Sequence, residues 1–435
     1  MTNLTIGIIG VAALVFLIFI GMHIGTALML VGFVGYAVIT NWKAAFAVLS
    51  TVPAGQAGSY SMIVVPLFIL MGCMAYYANL SKGLYDFGKK WLSRVPGGLA
   101  CGTIAACAVF GAICGSTAAT CATMGTLALP EMRRSGYSDE CTAGSIAFGG
   151  TLGVLIPPST PMILYGVLTT TSIGALFSAG IVPGIVTAFC GIVAVVIMCK
   201  TKAGYAPIPK GTTWKEKLLA FKDIIGVVIL FGVCLGGMFA GYFSVSQASA
   251  IGAFVATIMT IPAKNFTRKN LYAAFEDCIS TFSMTFLIMM GAAVFSAFLA
   301  ISTLPTVLAT SIQSFNVSKY LILLAITVIY VFLGMIMDAL PMMMLTVPIF
   351  FPIIKSLGFD AIWYGIYMVL IMNFGSISPP VGLCLFIVNG IDKDINLGVI
   401  YKGVLPFIIA MFVAIILITI FPGIVSFLPH AMGLA

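Results

Sequence analysis

The sequence predicts an all-α polytopic membrane protein made of two inverted repeats, each with a re-entrant helical hairpin and a broken helix. Three observations lead there: continuous helix-length apolar runs from Ile6 to Leu428, an internal repeat at an offset near 222 residues, and glycine- and proline-marked interruptions at matching places in both copies. Of the 435 residues, 61% are hydrophobic and 7% are charged, and the mean hydropathy is +1.18. A soluble domain carries roughly a quarter charged residues, so the 12 acids and 20 bases here cannot cover a water-facing surface. A soluble enzyme and a disordered scaffold are therefore excluded. A porin-type barrel would alternate apolar and polar residues with a period of two, whereas these stretches are continuous and long enough to span a bilayer as helices.

The net charge of +8 does not indicate nucleic acid, because the bases lie in short segments between apolar runs. The densest run, from Lys200 to Lys222, holds six Lys, and a second cluster is Lys264, Arg268 and Lys269. The two runs between them, about 223–240 and 246–262, form a helical pair joined by Gly241-Tyr242-Phe243, so both clusters share a side. Excess Lys and Arg mark that side as the cytoplasm. Propagating the orientation places Lys82, Lys89, Lys90, Arg94, Arg133, Arg134, Lys393 and Lys402 inside, and Lys43, Lys319 and Lys355 outside. The eleven Cys form no CxxC and lie mostly within apolar helices, as small packing residues do. Met1 to Thr5 lacks the basic region of a signal peptide, so the first helix is expected to be retained. A bacterial-type inner membrane is the expected location.

Comparing the chain with itself gives the domain organisation. Pro130 with Gly136-Tyr137 matches Pro352 with Gly358-Phe359 at an offset of 222, and Pro157-Pro158 matches Pro379-Pro380 at the same offset. Gly180-Ile181-Val182-Pro183 matches Gly403-Val404-Leu405-Pro406 at 223, and Phe68–Gly72 resembles Leu287–Gly291 at 219. Two homologous halves, about 60–200 and 278–428, follow an N-terminal stretch of scaffold helices at 1–59 and flank a linker with scaffold helices at 201–277. Three apolar crossings separate corresponding points of the halves, and an odd number inverts the second. Inverted repeats are a mark of secondary transporters.

The segment 98–132 exceeds one crossing, yet its flanking charges fall on one side, so it should turn back as a hairpin near Gly115-Ser116-Thr117. Its counterpart, 320–354, should enter from the other side and turn between Gly334 and Pro341, where Asp338 is the only acid between Lys319 and Lys355. Breaks also follow each hairpin, at Phe148–Gly153 before one Pro-Pro and at Asn373–Ser378 before the other. Irregular backbone in a bilayer persists only where protein or a polar cavity satisfies it, so four interruptions predict one shared site near the midplane. Carbonyl and hydroxyl oxygens suit a hard cation such as Na⁺, and half-helix N-termini suit an anion. Ser116 or Thr117 can cap the returning helix of the first hairpin, and Asp338 that of the second. A single Gly motif reads first as close packing, a preference that the correspondence across the two halves reverses for the set, and Asp338 reads equally as a structural cap or an ion ligand. His23 and His430 carry no functional reading. Residues 81–94 mix bases with aromatic and aliphatic side chains as a surface-lying helix does. With Thr303 to Lys319 in the equivalent place, this segment is either an arm between a mobile unit and a frame or an ordinary interfacial loop.

These residues resemble the large membrane subunit of tripartite ATP-independent periplasmic (TRAP) transporters, the DctM type. The resemblance is carried by Pro66–Gly72, Pro96–Ala100, Gly115–Thr120, Gly136-Tyr137, Ile156–Ser159, Tyr165-Gly166 and Leu176–Gly180. In the second half it is carried by Gly334 with Asp338, Pro348 with Pro352, Pro379–Gly382 and Pro406-Phe407. It covers nearly the whole chain. One departure is Thr117, where many members of the family have a second Ser; a hydroxyl remains. The resemblance implies an elevator-type carrier of the ion transporter superfamily type, in which hairpins and broken helices move against a scaffold. It also implies Na⁺-coupled symport of an organic acid anion, delivered by a periplasmic binding protein, with a small four-helix membrane subunit as partner. Carried over residue by residue, it places one cation site at Ser116, Thr117, Gly150 and Gly153, and a second at Gly334, Asp338, Gly375 and Ser378. The substrate would sit near Ser116, Ser159 and Asn373. The first 40 residues hold two helices, so the four-helix partner is expected as a separate chain.

Two other functions share parts of this pattern. A stand-alone ion-coupled anion carrier would use the same broken helices without a binding protein. An intramembrane enzyme would need a nucleophile beside a base, or a metal site, and the sequence has no HExxH and no Ser–His arrangement deep in a span. Proton relays use several membrane acids or His, so Na⁺ is the expected coupling ion with Asp338 as the single candidate acid.

Overall fold

A computed structural model describes residues 2–202, 204–207, 211–314 and 318–434, without the side chains of 312–314. Lys210 of the basic run and residues 315–317 of the second interfacial segment lie outside these. The chain opens with α1 (Asn3–Phe19), α2 (Ile24–Ile39), α3 (Trp42–Ala57), α4 (Val64–Tyr77) and the amphipathic α5 (Leu80–Trp91). A helical hairpin follows, α6 (Gly98–Cys114) and α7 (Thr117–Arg134). Next, α8 (Asp139–Thr151) runs into a 3₁₀ turn at Leu152–Val154 and an irregular stretch before α9 (Thr160–Thr169). The long α10 (Ile173–Thr201) precedes α11 (Trp214–Leu219), α12 (Phe221–Phe231), a π-turn at Gly232–Gly236 and α13 (Gly237–Phe239). The segment Trp214–Phe239 reads as one apolar helix of 26 residues. After α14 (Val245–Met259) come α15 (Arg268–Ser302) and the short α16 (Leu304–Ser314). The second hairpin is α17 (Lys319–Ile336) and α18 (Ala339–Ser356), and α19 (Ala361–Ser376) breaks before α20 (Leu383–Ile391). The chain ends with α21 (Leu397–Ile420) and α22 (Gly423–Ala431). Both Pro157-Pro158 and Pro379-Pro380 are cis. Among the described residues seven helices are long and apolar enough to cross a bilayer, so this is a multi-pass membrane protein.

The interruptions fall where the sequence places them, and their local causes are visible. Gly115 sits at φ +64, a left-handed conformation that glycine adopts without strain, and its N–H closes the last turn of α6 on Gly111 O at 2.7 Å. Ser116 then caps α7, its hydroxyl oxygen accepting from Ala119 N at 3.4 Å. In the second hairpin Asp338 caps α18, accepting from Ala339 N at 2.8 Å.

Two layers emerge from the packing. In one, α15 lies along α2 and α4, α14 lies along α4, and α1 along α2. Small residues permit this: a Cβ on Gly291 would meet Gly25 O at 2.2 Å, and one on Gly32 would meet Phe295 N at 2.7 Å. The other layer joins the hairpins and broken helices of both halves, with α8 packed on α6, α7 and α21, and α20 on α7. Between the layers, α5 touches α6 on one side and α12 on the other, while α16 touches α18 and α1. Residues 81–91 of the first interfacial segment and 304–314 of the second are thus helical.

Charge sorts to one end of the molecule. Lys89 pairs with Glu131, Lys90 with Asp223 at 3.0 Å, Lys202 with Glu140, and Arg133 with both Asp139 and Asp392. Asp392 lies just before α21, so the base of the first hairpin sits at the N-terminal end of that helix. The base of the second lies at the other end, where Phe359 stacks on Trp363 and Trp363 donates to Ile418 O at 3.2 Å.

The contact between α8 and α21 has no room to spare, since a Cβ on Gly144 would stand 2.2 Å from Gly403 O. Overpacking of this kind costs about 1–3 kcal/mol. Gly144→Leu should therefore lower the melting temperature of the purified protein in detergent by several degrees. An unchanged melt would mean that α8 and α21 are not packed together.

Candidate substrate and ion site

The hairpins and the breaks meet backbone to backbone. In the first half a Cβ on Gly111 would fall 2.2 Å from Gly153 Cα, and one on Gly153 would fall 2.6 Å from Thr120 Oγ1. In the second, a Cβ on Gly375 would fall 2.7 Å from Gly334 Cα. Each break therefore presses against its own hairpin one turn before the tip. Hydrogen bonds fix the same seam, with Gly382 N donating to Met335 O at 3.0 Å. Gly150 packs against α7, where a Cβ would meet that of Cys121 at 2.6 Å.

The first tip also meets the broken helix of the other half. The Thr117 hydroxyl donates to Asn373 Oδ1 at 3.5 Å. Asn373 is buried and its Nδ2 has no hydrogen-bond partner among the described residues, which leaves an amide donor beside the first tip. Ser378 donates to Phe374 O at 2.6 Å. Ser159 is fully buried as the cap of α9, its hydroxyl donating to Val154 O at 2.5 Å.

A cavity of about 620 Å³ opens between the two layers. Ser116 and Asp338, the two hairpin caps, both line it, together with Thr160 and Thr123. The scaffold side adds Cys73 and Tyr76 from α4, and Asp277, Ser280, Thr281 and Thr285 from one face of α15. Asp277, Ser280 and Thr281 are exposed, whereas Thr285 is 3% exposed. The α15 wall of the cavity is therefore exposed at Asp277 and closed at Thr285.

Of the ten residues singled out from the sequence, Ser116 and Asp338 share this cavity, and Thr117 and Asn373 touch each other beside it. Gly153, Gly334 and Gly375 form the hairpin–break contacts. Gly150, Ser159 and Ser378 stand outside the cavity lining. Sequence reasoning missed Gly111, although its offset of 223 from Gly334 is legible in the repeat. It also missed the polar face of α15, whose spacing of four (Asp277, Thr281, Thr285) is hidden within a helix of 35 residues. No group of three His, Cys, Asp or Glu gathers as a metal site among the described residues. The donors near the tips are carbonyl oxygens, hydroxyls and the Asp338 carboxylate, a set of oxygen ligands that fits a hard cation.

A multi-pass helical body with paired hairpin tips facing one polar cavity defines a membrane transport protein. The chain belongs to the tripartite ATP-independent periplasmic transporter family, DctM component, whose family model matches residues 11–424. It is 28% identical over 415 residues to the sialic acid TRAP transporter large permease SiaM of Vibrio cholerae, covering 95% of this chain and 96% of that one. It is 30% identical over 383 residues to the C4-dicarboxylate TRAP transporter large permease DctM of Pseudomonas aeruginosa, covering 86% and 88%. Among solved structures, the YdaH transporter of Alcanivorax borkumensis shares the fold with a TM-score of 0.60 at 14% identity, covering 87% of this chain and 89% of that one.

Cys73 and Cys114 line the cavity from opposite layers. In a variant retaining only these two cysteines, a membrane-impermeant maleimide should label the protein from the face that carries Arg133, in inverted vesicles. Labelling confined to the opposite face would reverse the direction of the opening.

Proposed function

We propose that this chain is the large permease subunit of a TRAP transporter that imports an organic acid anion across a bacterial inner membrane by Na⁺-coupled symport. One observation carries the reading: Ser116 and Asp338 stand 222 residues apart at equivalent positions, cap two hairpins whose bases lie at opposite ends of α21, and line one cavity. Each arm of the second hairpin has 18 residues, about 27 Å of helix against roughly 30 Å of hydrocarbon. Length alone fits both a full crossing and a deep re-entry. The shared cavity favours re-entry from opposite sides, and with it inverted repeats at 60–200 and 278–428.

Cation ligands are the Ser116 and Thr117 hydroxyls with backbone oxygens near Gly150 and Gly153, and the Asp338 carboxylate with the backbone around Gly334, Gly375 and Ser378. The substrate carboxylate or sulfonate faces the N-terminal ends of α7 and α18, with the free Nδ2 of Asn373 as a donor. Ser159, committed to Val154, acts by holding the break in shape. The layer of hairpins and broken helices is the moving body, and α5 and α16 are the arms that tie it to the scaffold. A periplasmic binding protein and a separate four-helix subunit complete the carrier, and the relatives' printed substrates, sialic acid and C4-dicarboxylates, support an organic acid as the cargo.

Liposomes holding this chain and the small subunit, with the binding protein outside, should take up substrate only under an inward Na⁺ gradient. Uptake at full rate without Na⁺ would refute the coupling, and uptake by this chain alone would refute the tripartite assembly. Loss of a contact to a charged group costs about 1.5–3 kcal/mol, so Asp338→Asn should raise the Na⁺ concentration for half-maximal uptake about tenfold or more. An unchanged Na⁺ dependence would remove Asp338 from the ion site. Asn373→Ala should raise the substrate concentration for half-maximal uptake about fivefold or more at saturating Na⁺, as expected for a buried hydrogen bond. A loss confined to the Na⁺ response would assign Asn373 to the cation instead.

A further inference from the structure

A second cavity lies away from the hairpin tips, in the seam where α5 meets α6 and α12. It measures about 520 Å³ and is lined by apolar residues, among them Leu84, Phe87 and Trp91 of α5, Val109 of α6, and Val227 and Phe231 of α12. Among the described residues no charged or hydroxyl side chain lines it. Beside Trp91, one of its lining residues, the chemistry is different. Lys217 is 8% exposed, and its ammonium donates to Trp91 O at 3.0 Å while lying 5.8 Å from the Trp91 ring and 5.7 Å from that of Trp214.

Lys217 makes no ion pair among the described residues. The neighbouring carboxylates are engaged elsewhere: Asp223 with Lys90, and Glu216 with the N–H and hydroxyl of Thr213. A buried ammonium without a counter-charge is costly, and it keeps donor capacity for an anion. The flanking segment marks the membrane surface. Trp214, Leu218, Leu219 and Phe221 are 45–64% exposed and alternate with Lys215, Lys217 and Lys222, the composition of a helix lying at headgroup depth.

We propose that this seam binds one anionic phospholipid of the leaflet on the basic side, with an acyl chain in the groove and the phosphate against Lys217. The apolar groove accounts for the chain, the uncompensated ammonium for the negative head, and the exposed aromatic and aliphatic residues for the depth. The lipid would sit between the arm helix, the hairpin and the scaffold, so its occupancy bears on how α5 moves against α12.

Trp91 reports on the groove directly. With Trp42 and Trp214 replaced by Phe, the remaining background is Trp363, which is 6% exposed. The full-length chain is reconstituted in phosphatidylcholine vesicles containing increasing brominated-acyl phosphatidylglycerol, or brominated phosphatidylcholine in parallel. Trp91 should be half-quenched at an about fivefold lower mole fraction of the anionic lipid, the preference expected of one cation at the surface. Lys217→Gln should abolish that preference, Lys217→Arg should keep it, and Val228→Phe should lower the maximal quenching by filling the groove. Equal curves for the two lipids in the unmodified site, or a preference that survives Lys217→Gln, would overturn the proposal. If Lys217→Gln does not fold, the comparison of the two lipids decides alone.

Discussion

Peptide groups that leave a helix inside a bilayer must find partners there, because each unsatisfied one costs several kcal/mol. This chain interrupts its helices at four places within apolar surroundings, and the rest of the structure follows from how those groups are satisfied. The 3₁₀ turn at Leu152–Val154 and the stretch at Ile377–Gly382 lie against hairpin backbone, in part because Gly111, Gly153, Gly334 and Gly375 leave no side chains between them. Ser116, Ser159 and Asp338 answer the free N–H groups of the helices that follow. What remains unpaired near the tips is what a cargo can use.

The two layers differ in how they are held. The scaffold is joined by close helix contacts at small residues, such as Gly25 against Gly291. The hairpin layer interleaves helices from both halves, and Arg133 ties the end of α7 to α8 and to the turn before α21. Ionic contacts of this kind at a water-facing end are individually weak, yet they hold three elements in register at one place. The seam between the layers is bridged by α5 and α16; the cavity at the tips is lined by polar and apolar residues together, and the one beside α5 by apolar residues.

The halves share geometry but not chemistry. At equivalent caps stand a hydroxyl in Ser116 and a carboxylate in Asp338, and the hairpin of one half reaches the break of the other through Thr117 and Asn373. The two hairpin caps that line the one cavity are thus chemically unlike. The acid at the tip is joined by Asp277 at the cavity mouth, so the electrostatics of the site combine residues from both layers.

The sequence by itself determined the membrane class, one helix interruption near Gly115-Ser116-Thr117, another between Gly334 and Pro341, both breaks and the gathering of charge at one end. Each of these is a local matter of apolar run length, left-handed glycine, capping side chains or the placement of Lys and Arg. The repeat offset also carried the equivalence of Gly334 with Gly111, although only the contact with Gly153 gave that glycine a reason. The tertiary structure decided which groups face one another: it put Ser116 and Asp338 in one cavity, withdrew Ser159 into the break, and brought Asp277 and its helix face to the opposite wall. The first and the last of these depend on contacts between elements 100 or more residues apart, as does that of Thr117 with Asn373, while Ser159 turns on Val154, five residues before it. Periodicity along a single helix cannot encode them, because they are set by which faces the two layers bury against each other.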